Sequence, residues 1–331
     1  LKENYLVYFD SGTSNSRAYL LDQSCRIQSV ARRAVGSKDS AIAGSNRPLR
    51  EGLKALYDEM LAANSLEEED ISAIYASGMV TSPYGLKEAP HLALPLTVQG
   101  FADSLVSFYE EEFFRRELLL VPGLKTLSEE FDFVNNMRGE EIEILGALEE
   151  LRSMEDVHDI ALIMPGSHTH VTYIQGERIT DIISNFTGEL FYALKKETIL
   201  SPILSQESME LDADMVRKGR ENLERFGFNR AIYICHAMRI FEQGTPQQRF
   251  SYGESVINSG VRKSLEYYCE HSWTNCRTVA LISNEFMFRL FSMIFEGSRF
   301  IDRVLWLPIS STKSYAVSGL KKILSMKGAP Q

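Results

Sequence analysis

Eight consecutive residues, Asp10-Ser11-Gly12-Thr13-Ser14-Asn15-Ser16-Arg17, carry most of the groups that phosphate chemistry needs. They lie between two apolar runs, 6–9 and 18–21, rich in strand formers. The flanks read as antiparallel strands and the centre as their hairpin. Gly12 can take a positive φ and lets the backbone approach a ligand. Thr13, Ser14, Asn15 and Ser16 add hydroxyl and amide donors beside backbone N–H groups, a phosphate cradle built on a hairpin. Asp10, at the end of a buried strand, suits a Mg²⁺ ion held largely through water. No Gly-Lys-Ser/Thr follows and a strand comes next, so this is not a P-loop. Taken alone, the turn fits an ordinary polar hairpin as well.

The same plan returns about half the chain later. An apolar run at 160–164 leads into Pro165-Gly166-Ser167-His168-Thr169-His170, then a run at 171–174, a turn at 175–177 and a further strand at 178–183. Two such openings, each heading a half, predict duplicated lobes facing one another. His168 and His170 share one face of a strand. No third ligand stands at close spacing, which speaks against a zinc site. Between the two openings, Gly139-Glu140-Glu141 starts a helix whose apolar face is Ile142, Leu145 and Leu148. Carboxylates in a first turn complement the helix dipole, and that alone accounts for one of the two glutamates.

The elements that must position these groups form an α/β pattern. A third strand is expected at 26–32, a Gly/Ser-rich loop over a cleft at 34–46, and a helix at 47–62. A buried strand at 71–76 ends in Ser77-Gly78-Met79-Val80-Thr81-Ser82, the edge at which open sheets bind ligands. With Pro83 and Pro90 the segment 78–91 is expected to be a substrate loop. A helix at 98–116 and a strand at 118–121 follow. In the second half Thr187 is a candidate N-cap. Helices are expected at 211–226, 230–241, 256–269, 285–295 and 314–326, a polar loop at 242–251, and strands at 278–282 and 303–307, with Ser283-Asn284 as a turn.

The chain has 331 residues, enough for two domains, set at 1–150 and 151–331. A net charge of −10 argues against general nucleic-acid binding but leaves room for a small anionic substrate. Cys25, Cys235, Cys269 and Cys276 form no CxxC pair, so a reducing, cytoplasmic setting is expected. The opening Leu1-Lys2-Glu3-Asn4 has no apolar signal core, and no run of 18 apolar residues occurs, so no membrane span is expected.

The ordered set comprises residues 10–17, Gly78-Met79-Val80, Glu88-Ala89-Pro90, Val121-Pro122-Gly123, Met137-Arg138-Gly139-Glu140-Glu141, Pro165-Gly166-Ser167-His168 and Thr187-Gly188-Glu189-Leu190-Phe191. It resembles the 2-dehydro-3-deoxygalactonokinase family, within the sugar kinase/actin/heat-shock ATPase superfamily. The likeness covers roughly residues 5–200. It implies two lobes of ribonuclease-H-like, actin-like ATPase topology with a ligand cleft between them. It also implies ATP-dependent phosphorylation of a 2-keto-3-deoxy sugar acid at its terminal hydroxyl, in galactonate catabolism. By the resemblance, Asp10 positions Mg²⁺, and Gly12, Thr13, Ser14, Asn15 and Arg17 face the phosphates. Gly166, Ser167 and His168 clamp them from the other side, with Ser283 towards the adenosine. Gly78, Met79, Ser82, Glu88 and Arg138 bind the sugar acid. Glu140 falls where related kinases place a catalytic Asp and would accept the hydroxyl proton. Arg138 or Arg17 would neutralise developing charge or the substrate carboxylate. Departures from the expected pattern fall at four places: Ser11, His170 where Lys is usual, Pro83-Tyr84, and Ser283-Asn284 where a Gly-rich turn is expected. These departures keep open a degenerate member that binds a sugar acid or nucleotide without turnover. A phosphohydrolase of the same superfamily is a further alternative, and a homodimer is left open.

Overall fold

The computed structural model describes residues 4–154, 158–206, 210–310 and 313–327; the opening Leu1-Lys2-Glu3 lies outside the described residues. The chain divides into two compact units. The first holds residues 4–154, with 177–179 and the terminal helix Tyr315–Lys327; the second holds the described residues of 158–176 and 180–310.

In the first unit, β1 (Tyr5–Ser11) and β2 (Ser16–Leu21) pair antiparallel, with Asp10 opposite Arg17 and Ser11 opposite Ser16. β3 (Ile27–Arg33) completes the meander. β4 (Ile71–Gly78) runs parallel to β1 and brings Gly78 beside Ser11. The sheet continues through Arg116–Leu120 to Val106–Glu110. Alternation along β1 and β2 sends Val7, Phe9, Ala18 and Leu20 into one core. Leu49, Leu53, Leu56 and Tyr57 of the helix Arg47–Ala63 fill it from one face.

The second unit repeats that order. Asp159–Pro165 pairs antiparallel with His168–Gln175, which neighbours Arg178–Phe186. On its other side Asp159–Pro165 runs parallel to Thr278–Ser283, and that strand parallel to Arg303–Pro308. Meander first, then two parallel strands: both sheets have this sequence of directions, as the duplicated openings predict. The 26-residue helix Pro246–His271 packs against Ala213–Phe226 and Phe228–Ile240 around Leu223, Cys235, Tyr252 and Val256.

Several elements differ from the sequence expectation. The segment 34–46 contains a helix, Ser37–Ala43, in place of a continuous loop. The helix expected at 98–116 is a short helix, Val98–Ala102, followed by the hairpin of Val106–Glu110 and Arg116–Leu120. Glu110 makes that hairpin: its buried carboxylate accepts the amides of Phe113 and Phe114 at 2.7 and 2.8 Å. The polar loop expected at 242–251 is already helical from Pro246. Among the described residues no helix is long and apolar enough to cross a membrane.

Candidate active site

The functional groups of the first unit gather at the C-terminal ends of β1 and β4. The turn 12–15 is closed by the Gly12 amide, which donates to the Asn15 carbonyl at 2.8 Å. Gly12 does not use the positive φ open to glycine, and a Cβ on it would meet the Asn15 carbonyl oxygen at an ordinary 3.6 Å. Exposed Thr13, Ser14 and Asn15 are left as the ligand-facing candidates. Gly36, which sequence reasoning passed over, holds this turn in place. A Cβ on it would lie 2.3 Å from the Thr13 carbonyl oxygen, and the Lys38 amide donates to that oxygen at 2.9 Å. Gly78 is equally constrained. Its φ is +84°, and a Cβ would meet the Ser11 carbonyl oxygen at 2.4 Å, so only glycine lets β1 and β4 end side by side.

After Gly78 the chain makes one 3₁₀ turn, Met79–Thr81, and the buried Ser82 closes it through its amide and hydroxyl to the Met79 carbonyl. Met79 is half-buried and Glu88 exposed. Arg138 organises the rest of this loop. Its guanidinium donates to the Thr81 carbonyl at 2.7 Å and the Ala89 carbonyl at 3.0 Å, and also meets the Thr81 hydroxyl and the His91 ring. Burial, with the Arg138 and Lys125 charges, holds His91 below its usual range, so it is neutral at pH 7.

The helix Glu141–Arg152 delivers three glutamates to this end of the unit. Burial, and then the Asp10 charge, push Glu140 up to about 7. Glu141 is fully buried and is pushed up to about 8 by burial and by Glu140. Glu143 also rises to about 8, through burial and the charges of Asp10 and Glu140, partly offset by Arg17. Asp10 is raised by burial and relieved by Arg17, whose Nη1 lies 3.6 Å from Asp10 Oδ2. Sequence reasoning missed Glu143. Its signal was the three-residue spacing from Glu140, which places both on one helix face.

Crowded carboxyl groups that raise one another fit a divalent cation, which would supply the missing positive charge. Among the described residues no three His, Cys, Asp or Glu side chains form a metal-binding group. Asp10 could hold such an ion as a single protein ligand, with water and phosphate oxygens completing its shell.

In the second unit, Gly166 closes the matching turn by donating its amide to the His168 carbonyl at 3.0 Å. Gly166, Ser167 and His168 are exposed. The turn rests on the start of the helix Gly188–Glu197, where the Glu189 amide donates to the Ser167 carbonyl at 2.8 Å. A Cβ on Gly188 would stand 2.1 Å from the Gly166 carbonyl oxygen. Thr187 occupies the N-cap position without capping, since its hydroxyl pairs with that of Thr169 at 2.7 Å. His168 Nε2 lies 3.5 Å from Glu189 Oε2. His170 is buried, pairs through Nδ1 with Ser184 Oγ at 3.0 Å, and is pushed down to about 4 by burial and by His168. It carries no charge at pH 7. Ser283 is buried at the end of Thr278–Ser283, its hydroxyl oxygen with no hydrogen-bond partner among the described residues. Asn284 caps the helix Glu285–Phe295 through Oδ1 and the Met287 amide at 2.9 Å.

Known proteins are similar to this chain in sequence and fold. The family described as 2-keto-3-deoxy-galactonokinase matches residues 10–306. A Rhizobium meliloti (strain 1021) protein named as a probable 2-dehydro-3-deoxygalactonokinase is 26% identical over 223 residues, 66% of this chain and 67% of the relative. The 2-dehydro-3-deoxygalactonokinase of Escherichia coli (strain K12) is 28% identical over 145 residues, 44% of this chain and 45% of the relative. A crystal structure of a candidate 2-dehydro-3-deoxygalactonokinase from Sinorhizobium meliloti shares the fold, with TM-score 0.75 over 98% of both chains at 20% identity. With the family match running from Asp10 to Trp306, through both turns and the glutamate-bearing helix, the chain belongs to the 2-keto-3-deoxy-galactonokinase family of sugar kinases.

Proposed function

We propose that the protein transfers the γ-phosphoryl group of ATP to the terminal hydroxyl of a 2-keto-3-deoxy sugar acid, with 2-dehydro-3-deoxy-D-galactonate as the first candidate. The observation that carries this reading is the placement of Glu140 directly after Gly139, which packs against Gly78 where β4 ends, a Cβ on Gly139 standing 3.5 Å from the Gly78 Cα; burial and then the Asp10 charge push the Glu140 carboxyl up to about 7. A base with that affinity for protons takes a hydroxyl proton at neutral pH and releases it again to solvent. The hydroxyl oxygen then forms the new O–P bond as the bond to ADP breaks. Positioning and charge neutralisation supply most of the rate in such transfers.

Asp10 would hold Mg²⁺, which when bound would neutralise charge on the phosphates. Thr13, Ser14, Asn15 and Arg17 would contact the phosphates through the turn of the first unit, Gly166, Ser167 and His168 are the matching candidates of the second unit, and Ser283 is its candidate for the adenosine. Gly78, Met79, Ser82 and Glu88 would shape the acceptor site. Arg138 would act through the loop, because its guanidinium is already committed to the Thr81 and Ala89 carbonyls. Arg17 is then the better candidate for the charge that develops in transfer.

One observation favours a second reading, a protein that binds these ligands without turnover: His170 is neutral where a fixed positive charge is usual. Phosphorus NMR of a mixture with MgATP and the sugar acid separates the readings. A new phosphate-ester resonance supports the kinase. Ligand-induced thermal stabilisation with unchanged ATP supports the binder. Phosphate released from polyphosphate without an acceptor would instead indicate a phosphohydrolase.

A further inference from the structure

Glu141 has no part in the phosphoryl transfer described above, yet it is the most deeply buried carboxyl group at that edge. Its Oε2 accepts the Gly139 amide at 2.5 Å, and its Oε1 is buried with no hydrogen-bond partner among the described residues. Gly139 has a φ of +116°, a conformation that side-chain-bearing residues rarely adopt. The residue between them is Glu140. Its backbone starts the helix, and its carbonyl accepts the Ile144 amide at 3.1 Å. A carboxyl group meant only to complement a helix dipole would sit in solvent at no desolvation cost. Burying one with an oxygen left unpaired costs stability, so a purely stabilising role is a poor account of it.

We propose that Glu141 is a positioning residue for Glu140: by gripping the Gly139 amide from inside the unit, it fixes the left-handed turn that aims the Glu140 side chain. Glu141 is already neighboured by Arg138, whose charge reaches it, and by Glu140. The grip needs only an acceptor oxygen at the right reach. It does not need a negative charge.

This inference rests on the proposed kinase activity, and two substitutions separate it from a dipole role. Glu141→Gln keeps the acceptor and cannot ionise. Glu141→Asp keeps an ionisable carboxyl group and shortens the reach by one methylene. With MgATP and 2-dehydro-3-deoxygalactonate, Gln is expected to hold kcat within about threefold of the parent. Asp is expected to lose about tenfold or more in kcat with KM within about twofold, the pattern of a misplaced catalytic group. Full kcat in a folded Asp variant, or a loss in Gln as large as in Asp, overturns the proposal. Hydrogen exchange at the Gly139 amide gives a readout independent of turnover. It should be slow in the parent and Gln proteins and faster in Asp. If the parent shows no turnover, the kinase reading fails by itself, and equal exchange in all three proteins would then overturn the positioning role.

Discussion

The acid limb of the activity profile follows from the surroundings of Glu140. A carboxyl group ordinarily titrates near 4.5, and this one is raised to about 7, first by burial and then by the Asp10 charge. That rise amounts to roughly 3 kcal/mol of preference for the neutral form. The sign is fixed by the role: the base must be ionised to accept the hydroxyl proton, so activity is present above the raised value and is lost as pH falls through it. At saturating MgATP, kcat/KM for the sugar acid should fall about tenfold per pH unit below 7, to about 1% of its plateau at pH 5. An ordinary glutamate would keep most of its activity there. Cation binding at Asp10 opposes the charge that helps raise Glu140, so higher Mg²⁺ should move the limb to lower pH. The assay is ADP release across pH 5–9 at two Mg²⁺ concentrations, with folding checked by circular dichroism at each pH. A profile flat down to pH 5.5, or the same limb persisting in Glu140→Gln, would refute the reasoning.

Gly188→Ala places a methyl group 2.1 Å from the Gly166 carbonyl oxygen, so the second turn must shift, at a cost of about 1–3 kcal/mol. Thermal melting should show the loss, and KM for MgATP should rise more than KM for the acid; an unchanged nucleotide KM would remove that turn from the phosphate site. Asp10→Asn should leave the fold intact and abolish the Mg²⁺ dependence of residual turnover, and an unaltered Mg²⁺ titration would take the ion away from Asp10. Arg138→Met breaks the bonds to the Thr81 and Ala89 carbonyls and should raise KM for the sugar acid about tenfold or more through a loosened loop; a KM within twofold of the parent would show that the loop holds itself.

Both hairpins were legible because strand formers flank short polar turns, and the duplication was legible because the pattern occurs twice. What escaped depended on partners far along the chain. Glu110 falls within 98–116, the stretch expected to be one helix. In the structure it is buried, builds a hairpin turn from two amides, and lies 3.7 Å from Arg50. The start of Pro246–His271 was written locally and overlooked. Thr245 and Gln248 exchange hydrogen bonds in a capping box with Pro246 at the first helical position. At the candidate site, the residue types of Asp10 and Glu140 were visible, whereas the raised proton affinity of Glu140 was not, because it comes from burial and from a strand about 130 residues away. The commitment of Arg138 to backbone carbonyls was hidden for the same reason.

The most direct measurement is a coupled ADP-release assay with MgATP and a panel of sugar acids headed by 2-dehydro-3-deoxygalactonate and its gluconate epimer, run beside Glu140→Gln. The account predicts turnover with one acid and a fall of about 10²–10⁴ in kcat for the folded variant. Silence across the panel from folded protein, or equal turnover in Glu140→Gln, would contradict it.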